Sequence, residues 1–452
     1  MIVLGYLLVL AIIIAFIKYP RQGVYISLLT KPTLDMFWWV KAKGLVSPLY
    51  IAGVIVPILA LVGLSRTKAR KLLIQEDLVV MAYLSLIIIL GMLKVAAMPQ
   101  YTYNTFDLIS RFVSTTLFYF IGKFYFQRPE DRYKLILVIL ASFIPPFLLT
   151  IGQQLLGINL HSFSEVYDPA SGLSTGEVSA FYLEGRHGIK RISGVYEGVY
   201  ELAFMGAFAT LIFFALHDSR DHRFTWWQIT MVPMALYMLY ATYSRSAWVT
   251  TLVAVLLYSF LRRKWLTLTA IVTTVILLYL TVPVVQYRFE DELGFLLGES
   301  EFARVGYGRG NKWTWIVETF LAQDFGTQMI GRFGIGNPEN QFLNALVFMG
   351  YTGLLLIVAF LIYFTLRLFY AVRTSLPYPD AVHRVGMMMA IFAFVTYWLG
   401  GLGNNFIVQI STQWILWTWT GSMIAEAYFL KTAKRRQRLL AQNGMLPRHG
   451  GA

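Results

Sequence analysis

The chain has no cysteine in its 452 residues. Disulfides, thiol catalysis and cysteine-ligated metal are thereby excluded. Charge is also scarce: only 14% of residues are Asp, Glu, Lys or Arg, and acids are outnumbered by Lys and Arg, 24 to 38. His161 and His187 have no metal-ligand spacing and read as surface histidines. There is no internal repeat, no low-complexity tract and no second soluble domain. Function is left to one apolar body and its connections.

Apolar residues are abundant, at 57% of the chain with a mean hydropathy of +0.59. They fall in unbroken runs near or above the ~18 residues needed to cross a bilayer. The expected fold class is therefore all-α, a polytopic membrane protein forming a single transmembrane domain over residues 1–452. The runs lie near residues 1–17, 46–64, 78–98, 108–126, 135–152, 198–216, 226–243, 247–261, 265–285, 342–366, 385–402 and 413–430, which predicts about twelve transmembrane helices. The first run, "MIVLGYLLVLAIIIAFI", has no basic residue before it and no small-residue cleavage site after it, so it reads as a retained helix. An even number of spans then puts both termini inside. Residues 18–45 fit poorly, because the count places their five Lys and Arg residues outside; "LLTKPTLDMFWWV" within them reads as an interfacial helix.

The net charge of +14 would suggest nucleic acid in a soluble protein. Here the basic residues cluster in short connections, "SRTKARK" (65–71), "QRPEDRYK" (127–134) and "RRK" (262–264), and in the tail 431–452. By the positive-inside rule these are cytoplasmic, so membrane lipid is the expected partner and nucleic acid is not. Two outer segments, about 153–197 and 286–341, are too long to be mere connectors. The second contains "NKWTWIVETFLAQ", whose apolar spacing suits an amphipathic helix on the membrane surface.

Four arginines converge on the outer face, against the orientation bias. Arg245 lies in "YSRSAW", and an arginine at mid-bilayer costs roughly 2.5 to 3.5 kcal/mol. Because "RRK" anchors the inner end of the helix that follows it, Arg245 belongs at the outer end. Arg191 ("GIKRISG"), Arg288 ("VVQYRFEDE") and Arg309 ("GYGRGNKW") fall on the same side. Singly, each can snorkel to headgroups or pair with an acid, as Arg288 can with Glu290, Asp291 or Glu292. As a set they offer planar donor forks matched to phosphate oxygens, able to grip a diphosphate.

The ordered series "RISG", "YSRSAW", "RGNKW" and "GRFGIGNPENQFLNALVFMGYTGLLL" resembles the O-antigen ligase and polymerase superfamily over most of residues 185–366. The resemblance implies a GT-C-like architecture in a bacterial cytoplasmic membrane, with the site facing the periplasm. It also implies a reaction: a glycan carried on polyprenyl diphosphate is transferred with inversion to a hydroxyl acceptor, without metal or cofactor. The acceptor would be another lipid-linked repeat unit in a polymerase, and lipid A core or a protein in a ligase. Arg191 and Arg245 match the diphosphate-binding positions; Arg288 and Arg309 are additional contacts.

The chain departs from the ligase pattern at Glu339, which stands in "NPENQFLN" where ligases carry histidine. This inclines the reading toward a polymerase. A carboxylate can take the acceptor's proton, although an acid before a helix is also favoured by the helix dipole alone. Asn340 reads as a supporting residue. Glu197 and Glu201 bracket the next helix start, where acids are commonplace, and either can contact sugar or acceptor. Arg111 and Lys123 are expected to snorkel, and the Gly350–Gly353 spacing reads as close helix packing. A transporter, either a lipid-linked glycan flippase or an anion carrier, is the rival reading; it would need charges and broken helices at mid-membrane.

Because the chain lacks cysteine, its topology can be checked directly. Single cysteines at positions 173 and 307 should react with an impermeant thiol reagent applied from outside, and one at 263 should not. Reversed labelling would overturn the placement of the site.

Overall fold

In the computed structural model, residues 2–35, 37, 47–66, 73–156, 167–168, 173–174, 199–298, 301, 305–334, 339–403 and 410–442 are described. Where they are described, the twelve apolar runs lie mostly on helix. By length and composition, five helical segments can cross a membrane: Gln75–Ala97, Pro129–Gly152, Tyr200–His217, Gln341–Ser375 and Ala381–Gly400. Four more, Val3–Lys18, Ile51–Gly63, Arg245–Leu261 and Trp265–Thr281, are apolar but shorter. The fold is thus helical, consistent with a membrane all-α protein; among the described residues five helices are long and apolar enough to span, and the twelve expected spans are not confirmed. A single two-residue ladder, Tyr167–Asp168 with Leu173–Ser174, accompanies them among the described residues.

Helices α1 (Ile2–Lys18) and α2 (Pro20–Asp35) form a hairpin, followed by α3 (Pro48–Gly63). Next come α4 (Gln75–Ala97), α5 (Thr102–Thr116), α6 (Phe118–Tyr125), α7 (Pro129–Ser142) and α8 (Ile144–Leu156). The α7–α8 break has a covalent cause. Pro145 and Pro146 lack the amide protons that would carry the helix ladder past Phe143. The second half contains α9 (Val199–His217), α10 (Trp226–Ala241), α11 (Arg245–Leu261), α12 (Trp265–Thr281), α13 (Pro283–Leu296), α14 (Val305–Leu321) and α15 (Phe325–Ile330). It closes with α16 (Gln341–Ser375), α17 (Ala381–Val395), a π turn (Thr396–Gly400), the short α18 (Gly401–Gly403) and α19 (Ile410–Gln442).

Small residues let the helices approach closely. A side chain at Gly122 of α6 would overlap the Thr418 backbone of α19, and one at Gly421 would overlap the Tyr119 backbone. Such small-residue contacts replace the hydrophobic driving force that lipid cannot supply between helices. Beside this seam lies an aromatic core in which Tyr83 stacks on Phe360 at 3.7 Å and Phe360 meets Trp417 at 5.5 Å.

The helix directions give the bundle two ends. At the basic end, Asp218 pairs with Lys264 and Arg262 and accepts the Tyr258 hydroxyl at 2.7 Å. Arg132 pairs with Glu426, which His383 Nε2 reaches at 2.8 Å; Arg21 pairs with Asp131. At the opposite, loop end lie the α10–α11 turn, α13, α14, α15 and the start of α16.

Four sequence expectations look different in the structure. The segment read as an interfacial helix belongs in part to α2, which packs against α1, α3 and α7 and buries Val24, Leu28, Lys31 and Asp35. The Lys31–Asp35 pair, four residues apart, neutralises the charge that would otherwise keep this face in water. Because α2 runs back along α1 and α3, the described start of the first helix and the described end of the last lie toward opposite ends of the bundle. Gly5 abuts Pro48 and Phe37 while Gly63 abuts Pro20 and Tyr125, so α1 begins at the loop end and α19 runs toward the basic end. Lys123 does not snorkel: it is buried and paired with Asp77, whose other oxygen accepts the Tyr119 hydroxyl at 3.1 Å. Arg111 is held by Asp107 one turn earlier, at 2.8 Å.

Burial of Asp218 raises its pKa, but hydrogen bonds from Lys264 and Tyr258 and the Arg262 charge outweigh it and hold the carboxyl below its usual range. A depressed carboxylate stabilises the fold above the unfolded pKa of about 3.9 and loses that contribution as pH falls through the folded value. Asp218→Asn should therefore cost about 1–3 kcal/mol at pH 7, the partners being partly exposed. In thermal melts, the gap from wild type should narrow as pH falls below about 4. A gap independent of pH would assign the loss to packing instead.

Candidate functional site at the loop end

Three chain segments meet around one carboxylate. Arg309 and Lys312 stand three residues apart on α14, a spacing that puts both on one helix face. Arg309 donates through Nη2 to the Tyr200 hydroxyl, on the first turn of α9, at 2.9 Å and also to Glu339 Oε2. Lys312 Nζ lies 3.7 Å from Glu339 Oε1. Both oxygens of Glu339 thus face a cation, and its side chain is 40% exposed. Burial acts to lower the Arg309 pKa, but Tyr200 and Glu339 outweigh it and the net shift is upward, so the guanidinium is always charged.

The backbone explains how Glu339 is aimed. Its φ of 51° is in the left-handed region, which costs a residue with a Cβ roughly 1–2 kcal/mol. Its neighbour compensates: the Asn340 side chain caps α16, accepting from Phe342 N at 2.9 Å and Leu343 N at 3.1 Å. Asn340 Nδ2 also donates to Leu402 O at 3.1 Å, tying the turn to α18. Asn340 thus acts on the backbone of this turn, as a helix cap and a tie to α18.

Beneath the turn, α16 is broken. Gly350 has φ 68° and ψ −170°, which interrupts the helix after Met349, roughly 13 Å from its start at 1.5 Å per residue. The carbonyls freed by the break are taken up from outside: Arg332 N donates to Val347 O at 2.7 Å, and the buried Lys94 donates to Phe348 O. Lys94 also lies 4.1 Å from the Phe333 ring centre. A Cβ at Gly331 would come within 2.5 Å of the Met349 and Gly350 amides, so the two glycines meet backbone to backbone. The packing role expected of Gly350 and Gly353 agrees with these contacts, and the amphipathic helix expected from "NKWTWIVETFLAQ" is α14, whose buried Ile316 and Phe320 pack with Val347.

No known protein family matches this chain, and neither does any curated protein. The site rests on its own geometry. Of the expected residues, Arg309, Glu339 and Asn340 come together. Arg245, half-buried, opens α11 after a turn in which Tyr243 has φ 47°; Trp248 Nε1 bonds Leu239 O at 2.7 Å and its ring lies 6.3 Å from Phe289 of α13. Arg245 is therefore at the loop end, away from the basic end. Arg288 lies in α13, and its side chain is outside the described atoms. Arg191, Glu197, His161 and His187 are outside the described residues, as is most of the segment 153–197. Glu201 lies beside Tyr200 in the first turn of α9. Among the described residues there is no cluster of metal-ligating side chains. Lys312 and Tyr200 were missed; the three-residue step from Arg309 to Lys312 was the available signal for the first, while the reach of Tyr200 from α9 had none.

If the glycine contact sets the α16 break, Gly350→Ala should lower the thermal midpoint by the equivalent of at least about 1 kcal/mol, from the positive φ alone. The overlap with the Met329 backbone adds to it. Wild-type stability in this variant, read by a fluorescence melt in detergent, would show that the break can straighten.

Proposed function

We propose that the chain is an integral-membrane glycosyltransferase that transfers a polyprenyl-diphosphate-linked glycan to a hydroxyl acceptor at the loop end. The observation that carries this reading is the clustering of Arg309, Lys312 and Tyr200 around Glu339, on a turn built by Asn340 and held by α18. Such a cluster offers cations for a diphosphate and a carboxylate for a proton within one pocket of contacts.

The chemistry follows from those groups. The acceptor oxygen attacks the anomeric carbon from the face opposite the diphosphate, the carbon–oxygen bond to the diphosphate breaks, and the configuration inverts. Glu339 receives the hydroxyl proton as the new glycosidic bond forms. Charge building on the departing diphosphate is met by preplaced cations, which stabilise it better than reorganising water. Arg191, Arg245 and Arg288 complete the diphosphate contacts, and Glu197 the sugar or acceptor contacts, by the sequence resemblance. The basic end then faces the cytoplasm and the loop end the periplasm, consistent with the distribution of Lys and Arg. With Glu339 in place of a histidine, the reading favours a polymerase whose acceptor is a second lipid-linked repeat; lipid A core is the acceptor of the ligase alternative.

One observation favours a carrier instead. The α16 break at Gly350, with Lys94 beside it, has the form of a discontinuous helix. The freed carbonyls are already occupied by Arg332 and Lys94, which leaves the break closed. For this reason the enzyme reading is preferred.

Incubation of the purified protein with lipid-linked repeat units should give a ladder of longer glycans, and Arg309→Ala should lower that turnover by roughly 100- to 1000-fold. Glu339→Gln should lower it by about 100- to 10,000-fold while still binding donor. No product with repeats alone, but product on addition of lipid A core, would select the ligase. No product with either acceptor, together with movement of lipid-linked glycan across vesicles, would select the carrier.

A further inference from the structure

A carboxylate already engaged by two cations is not free to meet an acceptor hydroxyl, and cations engaged by a carboxylate are poorly placed for phosphate. Glu339 Oε2 is held by Arg309 and Oε1 faces Lys312 at 3.7 Å, so in this arrangement each group blocks the other's proposed task. Lys312 had no role in the sequence reading. Its side chain is 42% exposed, close enough to the carboxylate to pair with it and open enough to meet an incoming anion.

We infer that Glu339 is an internal occupant of a diphosphate site formed by Arg309 and Lys312, and that the donor's diphosphate displaces it. Lys312 is then a donor-binding residue. This inference rests on the glycosyltransferase reading and adds an order of events to it. In the donor-free protein the carboxylate neutralises the two cations, which would otherwise repel across one helix turn. An arriving diphosphate carries more negative charge than one carboxylate and presents more acceptor oxygens, so it competes successfully for the guanidinium fork and the ammonium. The freed carboxylate, still aimed by the left-handed turn and the Asn340 cap, becomes available to the acceptor hydroxyl only once donor is bound. Water reaching the site of the empty protein thus meets a base already engaged.

Binding separates this from the general reading, because a competitor's removal tightens a ligand whereas loss of a structural pair does not. The full chain in detergent would be titrated calorimetrically with geranyl diphosphate and with inorganic pyrophosphate. Glu339→Gln keeps the shape and removes the competing charge; it should bind both probes roughly tenfold more tightly than wild type, the scale of one charge-assisted hydrogen bond. Lys312→Met should bind about tenfold more weakly, in the wild-type background and in Glu339→Gln alike, and Lys312→Arg should restore binding. The exposed Lys312 can be replaced without disturbing packing, so its result stands even if position 339 proves sensitive. Equal or weaker binding by a folded Glu339→Gln, with wild type binding normally, would overturn the exchange and leave the donor reading intact. No binding of either probe by wild type or by Glu339→Gln would overturn the diphosphate reading itself.

Discussion

Charge without water has to find charge, and the architecture depends on that constraint. An ion inside an apolar bundle costs several kcal/mol unless a partner compensates it. The chain meets this by sorting. At the basic end, Asp218, Glu426, Asp131 and Asp77 each take a cation from another helix, so these pairs also fix which helices are neighbours. Pairs of this kind add modest net stability, since desolvation offsets much of the attraction, but a wrongly docked helix would leave a charge buried alone.

The same rule applied to the backbone shapes the loop end. A helix broken within an apolar body leaves carbonyls that nothing in lipid can satisfy. Here the break at Gly350 is closed by the Arg332 amide and the Lys94 ammonium, while two glycines let α16 and the segment after α15 meet at backbone distance. The first nine residues of α16 consequently form a short capped helix of their own, with Glu339 in a strained conformation at its mouth. Strain held by so many surrounding bonds is characteristic of sites where a side chain must be aimed.

Arg309 joins these two themes. It reaches Tyr200 on α9 and Glu339 before α16 at once, linking the start of one long helix to the start of another through a helix lying outside both. A residue in that position holds the loop end together and presents a cation to it. In the proposed reaction the structural pair and the chemical site are the same contact in two states, which explains why a carboxylate can serve where it is surrounded by positive charge.

Much of this was legible in the sequence. Long apolar runs required helices, since only helices satisfy the backbone internally in lipid, and the clustering of Lys and Arg separated a basic end from a loop end. The separation of Arg245 and Arg309 from the basic end, the helix α14 and the position of Glu339 before a helix all followed from local pattern. Whether a charge would reach water or a partner could not be read locally. Lys123 looked like a snorkelling residue because Asp77, forty-six positions away, becomes its neighbour only when α4 and α6 pack. The traverse by α2 was hidden for a similar reason, its hydropathy being suppressed by Lys31 and Asp35, which cancel only once the helix has formed. Composition and periodicity determined which segments are helical and which end carries the positive charge. The tertiary structure alone decided that Tyr200, Arg309, Lys312 and Glu339 form one cluster, because distances between side chains on different helices depend on packing that no local run of sequence encodes.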